Sequence, residues 1–163
     1  QRTFLEGFVR PGLEPSSWTS RTNYPGTSII PTDKGEISMY VQRDYGFTSN
    51  RMERLVLRTD RFGSIRAPYR GGELLTRLLT FSGAEPLLNY STSAAGSIRV
   101  EILDDSGIPA DGFKLADCSE LIGDEIERVV RWNQVSDLSP LRGKSIRLHF
   151  VLKDSDLYSI RFR

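Results

Sequence analysis

The 163-residue sequence contains one cysteine and one histidine, and these two shortages exclude several classes of chemistry. A lone thiol, Cys118, cannot close an intrachain disulfide or build a multi-cysteine zinc site. A lone imidazole, His149, cannot supply a His-rich metal centre or an HExxH helix. No apolar run approaches the ~20 residues that a membrane-spanning helix needs. Basic and acidic side chains number 22 and 21, for a net charge of +1, with no block of one sign. That balance offers no basic footprint for nucleic acid and no patch for a membrane, so neither is expected as a partner. The phosphate-cradling loops GxxxxGK[ST] and GxGxxG are missing, and so is the GxSxG elbow of serine hydrolases.

What is present is a β pattern. Hydrophobic residues make up 38% of the chain and the mean hydropathy is −0.34, the composition of a folded globular protein. Ile37, Met39 and Val41 alternate with Ser38, Tyr40 and Gln42, the period of a half-buried strand. Leu55 and Leu57 repeat the pattern, as do Ile98, Val100 and Ile102. Ile146, Leu148, Phe150 and Leu152 give the cleanest alternation, and Tyr158, Ile160 and Phe162 continue it. Val100, Ile102, Ile126, Val130, Trp132, Ile146, Leu148, Phe150, Tyr158, Ile160 and Phe162 form the expected core, whereas Arg99, Glu101, Arg147 and Arg161 should face solvent. The leucines at 74, 75, 78 and 79 fit a helical face as well as a doubly buried strand, and the flanking glycines, Thr76 and Thr80 favour the strand; Ile126–Trp132 reads as a further strand. Asp104-Asp105-Ser106-Gly107 reads as a turn and Ser139-Pro140 as a single helical turn. Short strands separated by turn signals predict an all-β, antiparallel, jelly-roll-like sandwich. Residues 1–35 differ: Pro11, Pro15, Pro25 and Pro31 forbid long regular elements. They predict an irregular N-terminal extension held to its surroundings by Phe4, Phe8, Trp18 and Tyr24.

Candidate chemistry is sparse. His149 falls on the outer face of its strand and suits a cross-strand contact better than catalysis. The pairs Asp104/Asp105, Asp124/Glu125 and Asp154/Asp156 sit in predicted turns, where aspartate serves the backbone. Asp104–Asp105 or Asp154–Asp156 could hold a calcium ion; no other cofactor is expected. Cys118 reads as a buried, inert thiol. Asn89-Tyr90-Ser91 is a formal glycosylation sequon. Sugars stack their C–H faces on exposed rings beside planar polar groups. Tyr40, opposite the Met39/Val41 face, and Trp18, Tyr24 and Tyr45, in loop-like sequence, are the candidate carbohydrate-binding residues. The surface around Tyr90 is the reserve. No catalytic residue is identified.

The runs LRTDRFGSIRAPYRGGELLTRLLTFSG, LLNYSTSAAGSIRVEILDDSGIPADGF, GDEIERVVRW and LRGKSIRLHFVLKDSDLYSIRFR resemble one known module. It is the C-terminal β-sandwich of bacterial five-bladed β-propeller glycoside hydrolases of the family 32 and 43 type, with their sialidase-like relatives. The resemblance covers about residues 58–163, while residues 1–57 resemble the end of the preceding propeller. It implies a fragment whose parent propeller carries the catalytic groups and would be its partner, and a location outside the cytoplasm, extracellular or periplasmic. It implies a non-catalytic accessory module of a carbohydrate-active enzyme, with a polysaccharide or oligosaccharide as ligand. The alternative is a purely structural or oligomerisation module with no ligand of its own.

Overall fold

The computed structural model describes residues 7–18 and 24–163, without the side chains of residues 17 and 18; Phe4 lies outside them. Over the described residues the protein is all-β, with two antiparallel sheets and no long helix. It divides into two compact units, Gln1–Phe62 and Gly63–Arg163.

The first unit is a four-stranded sheet built on one strand. β3 (Glu36–Arg43) is covered along one edge by β4 (Arg51–Arg58), in unbroken register from Glu36↔Arg58 to Arg43↔Arg51. Its other edge is shared by two short strands, β1 (Tyr24–Pro25) opposite Gln42 and Val41, and β2 (Ile30–Asp33) opposite Ser38, Ile37 and Glu36. The prolines keep the elements before residue 36 short, as expected: a 3-10 turn over Pro15–Trp18, then strands of two and four residues. Alternation sorts β3 into two faces. Ile37 and Val41 are buried on one face, with Met39 and Leu55 half-buried beside them. The other face carries Ser38, Tyr40 and Gln42. There the Arg54 guanidinium donates to Ser38 Oγ at 2.9 Å and to Glu36 Oε1 at 2.6 Å.

The second unit is organised by two long strands, β7 (Pro86–Leu103) and β9 (Arg147–Phe162), with β5 (Ile65–Ala67), β6 (Gly72–Leu75) and β8 (Asp124–Val129) at their edges. β7 and β9 pair antiparallel from Pro86↔Phe162 to Leu103↔Arg147. β8 adds to the far edge of β7, and β5 and β6 share the far edge of β9. The β7–β9 register breaks between Thr92 and Ser97, opposite Asp154, which takes a φ of 39°. Such a break bends a ladder. The sheet curls there around one core centred on Tyr90, Ile98, Ile102, Val130, Trp132, Ile146 and Phe150.

The strand pattern predicted most of that core. Val100, Ile102, Val130, Trp132, Ile146, Leu148 and Phe150 are buried, and Ile160 and Phe162 pack against them from half-buried positions. Ile126 is half-buried, and β8 ends at Val129 rather than reaching Trp132. Tyr158 requires a correction. Asn89 opposes Ser159 while Tyr90 opposes Leu157, so Tyr158 is the extra residue of a bulge. Leu157 takes the inward place, and the Tyr158 hydroxyl lies 3.2 Å from Ser91 Oγ. Glu101 and Arg147 are half-buried rather than exposed, because both are tied to neighbouring segments. Glu101 accepts the Leu115 N–H at 3.1 Å, and Arg147 donates to the Thr76 carbonyl at 3.1 Å. The leucine run is not doubly buried either: Leu74 and Leu79 pack on the core while Leu75 and Leu78 are exposed.

Candidate functional site

The aromatic candidates fall in the first unit, around the loop that joins β3 to β4. Tyr24 and Tyr45 meet with ring centroids 5.0 Å apart and planes inclined at 54°. They come together because Tyr24 lies opposite Gln42, close to the end of β3, and the chain then turns through Asp44 and Gly46, both with positive φ. Both rings remain open, with Tyr24 44% and Tyr45 52% exposed. Tyr40 shares the Gln42 face and is half-buried. Its carbonyl accepts the Gly26 N–H at 2.7 Å, which fixes the path of the chain leaving β1. Trp18 closes the 3-10 turn, and its side chain lies outside the described residues. Two residues that alternation alone does not single out complete the surface. Gln42 donates through Nε2 to Asn50 Oδ1 at 3.1 Å, placing planar amides on the face that carries Tyr24 and Tyr40.

The same loop borders a cleft of about 310 Å³ lined by Arg10, Glu14, Arg43, Asp44, Arg51 and Glu53. Arg43 Nε donates to Glu53 Oε2 at 2.9 Å, and its Nη1 donates to the Arg10 carbonyl at 3.3 Å. Arg51 is ion-paired with Asp44. Burial works to raise the Asp44 carboxyl, but hydrogen bonds from Ser49 and Arg51, with the charge of Arg51, outweigh it and hold the group below its usual range. A carboxylate kept ionised in this way accepts hydrogen bonds well and is a poor proton donor. The arrangement therefore suits the holding of a polar ligand.

Of the second unit's carboxylate pairs only Asp104/Asp105 lies in a turn; Asp124/Glu125 opens β8 and Asp154/Asp156 lies within β9, so the turns expected for those two pairs are strands. Asp104 Oδ1 accepts the N–H groups of Ser106 and Ile108 at 2.9 and 2.8 Å, closing the expected turn at Gly107. Asp154 occupies the bend of β9, and Asp156 accepts the Ser64 hydroxyl at 2.6 Å. Among the described residues, no three His, Cys, Asp or Glu side chains gather as a metal-binding cluster. Cys118 is buried and its Sγ accepts the Val100 N–H at 3.3 Å; burial pushes the thiol up from its ordinary value. Asn89 is also buried, so its sequon is closed to modification in the folded chain. Tyr90 is fully buried with its hydroxyl on the Ile122 carbonyl, which removes the reserve surface. No family model, curated protein or solved structure matches the chain.

His149 makes the cross-strand contact expected of it, and on both ring nitrogens. Glu101, directly opposite on β7, lies 2.8 Å from Nδ1, and Glu73 on β6 lies 3.2 Å from Nε2. Only the imidazolium can donate at both positions. The Glu101 hydrogen bond first, then Glu73, hold its pKa above the ordinary value of 6.5 against the opposing effect of burial. A group whose folded pKa is raised stabilises the fold fully below its unfolded pKa, and that contribution is lost as pH rises through the folded value. Urea denaturation between pH 5.5 and 8.5 should therefore show stability falling with pH over that transition. The His149→Gln variant should lack this component, and an unchanged pH profile in the variant would contradict the assignment.

Proposed function

We propose that the chain is a non-catalytic β-sandwich accessory module of a carbohydrate-active enzyme, acting outside the cytoplasm, and that it binds a polysaccharide or oligosaccharide through Tyr24 and Tyr45 with Tyr40 beside them. The observation that carries this reading is the exposed Tyr24–Tyr45 pair, two rings 5.0 Å apart on a face that also presents the Gln42 and Asn50 amides. A sugar ring offers an apolar C–H face and an equatorial belt of hydroxyls. Aromatic rings cover the first, and planar amides or ion-paired carboxylates satisfy the second. The engagement of Asp104 in its turn, of Glu73 and Glu101 with His149, and of Asp156 with Ser64 supports a module without hydrolytic chemistry of its own. A parent propeller of the kind found in the family 32 and 43 glycoside hydrolases is the partner this reading implies.

Each stacked ring is worth about 1–3 kcal/mol by analogy with base stacking, less the ordering of a flexible chain, which places affinity at roughly micromolar to millimolar. In affinity electrophoresis through polysaccharide-containing gels, Tyr24→Ala and Tyr45→Ala should each weaken retardation about tenfold, and Tyr40→Ala by less. Full retention in the Tyr24→Ala, Tyr45→Ala double variant would remove this platform. A second reading rests on a separate observation. Ile30, Met52 and Val56 lie on the Tyr24 face and are 45%, 64% and 53% exposed. That apolar surface favours a structural or oligomerisation module, with the tyrosines covered by protein. Sedimentation equilibrium of the chain separates the two, since self-association lost on Met52→Glu with sugar binding absent would select the second.

A further inference from the structure

We propose that the second unit carries its own ligand site, a groove beside Tyr69 that takes an acidic sugar of the uronate type. The site rests on the carbohydrate reading for the class of its ligand, but on residues of the other unit. The groove, about 640 Å³, is lined by Tyr69, Arg70, Glu73, Val151 and Lys153, with the backbone of Gly71 and Gly72.

Three features point to a ligand. The first is an aromatic ring in the open: Tyr69 is 64% exposed, although it belongs to a tightly held segment. Its preceding residue, Pro68, accepts the N–H groups of Gly71 at 2.8 Å and Asp154 at 3.1 Å. Gly71 turns the chain with a φ of 88°, and a Cβ there would meet the Leu152 carbonyl at 3.4 Å. The ring is thus displayed from backbone anchored to β9, which lowers the ordering cost that weakens binding to mobile loops.

The second feature is charge. Lys153 Nζ lies 4.6 Å from the centroid of the Tyr69 ring, and among the described residues neither Lys153 nor Arg70 has a carboxylate partner. The third is the fate of the one acid in the groove. Glu73 is turned to His149, with Oε2 3.2 Å from Nε2, so two cations are left to face the groove. A guanidinium and an ammonium beside an exposed ring match a ligand with an apolar sugar face and a carboxylate: the ring stacks, and Arg70 and Lys153 hold the anion. A neutral sugar would leave both cations unanswered, which is the basis for discrimination.

The test uses the full chain and a galacturonate trimer, with the matching neutral galactose trimer as control, titrated calorimetrically at 20 and 300 mM salt. The acidic trimer should bind at least tenfold more tightly than the neutral one, and more weakly at the higher salt. Tyr69→Ala and Arg70→Gln should each weaken it about tenfold. All titrations are made in the Tyr24→Ala, Tyr45→Ala background, which removes the first-unit platform from the readout, so that any binding measured belongs to the groove beside Tyr69. Failure of the acidic trimer to bind would overturn the proposal, as would binding that survives Tyr69→Ala or that inorganic sulfate displaces at equal concentration, the mark of unspecific charge. Because Tyr69 and Arg70 are exposed, both variants should keep the far-ultraviolet circular dichroism of the unaltered chain.

Discussion

Trp132→Ala should lower the unfolding free energy by about 3–5 kcal/mol, the range for truncating a packed aromatic residue. The indole is 1% exposed and meets Phe113 edge-on, with centroids 5.3 Å apart at 80°. Its Nε1–H donates to the Val100 carbonyl at 2.8 Å within the core. The substitution opens a cavity and also removes the side-chain donor from that carbonyl, a further cost of about 1–3 kcal/mol if the group is left unpaired. Trp132→Phe keeps most of the volume and loses the donor, so it should fall between the two. Urea titration followed by circular dichroism measures all three. A Trp132→Ala loss below about 1 kcal/mol would mean that the ring is not part of this core.

Gly96→Ala should be of comparable severity for an unrelated reason. Where the β7–β9 ladder breaks, the backbone of Gly96 passes directly against β9. A Cβ built there would meet the carbonyl oxygens of Asp154 and Lys153, the latter at 2.7 Å. These are main-chain atoms, so no rotamer change relieves the overlap and the bend itself must shift. Overpacking typically costs about 1–3 kcal/mol and sometimes more, and the upper end is expected here. Ala95→Gly, one position earlier and exposed, should be nearly neutral in the same urea titration. A stable Gly96→Ala protein would show that the two strands do not approach so closely.

That bend also explains where reading the sequence succeeds and where it fails. Along the first half of β9 the period of two holds: Ile146, Leu148, Phe150 and Leu152 are all buried. Beyond Asp154 the register shifts, Ser155 and Leu157 turn inward, and Tyr158 is displaced. A one-residue irregularity exchanges the faces of a strand, and nothing in the alternation of side chains announces it. The fold class survives such an error because it depends on how many strands there are and on their turns. The Glu101–His149–Glu73 cluster lies in the regular half of β9, and alternation shows only the outward placement of His149 there, because which strands flank β9 is a long-range choice. Composition and alternation single out Tyr24, Tyr40 and Tyr45 as candidates, and the structure adds only how they are placed. The meeting of Tyr24 with Tyr45 depends on β1 pairing with the end of β3 across residues 26–41, a long-range choice invisible to local pattern. Nothing in the sequence singles out Tyr69, which stands in a Pro-Tyr-Arg-Gly-Gly segment that reads as a chain break.

The pairing of Pro86 with Phe162 and of Leu103 with Arg147 has a kinetic consequence. β9 is the shared neighbour of β5, β6 and β7, so none of these ladders can close until it has been synthesised. During translation the β9 edge of β7 must wait open while more than forty intervening residues leave the ribosome. Loop closure over such a separation comes before any reward in contacts, the hallmark of β proteins that fold in milliseconds to seconds. The second unit should therefore fold late, and a ribosome-stalled chain ending before Arg147 should be digested by protease at β7, while one with a linker after Arg163 long enough to bring all of β9 out of the ribosome should resist.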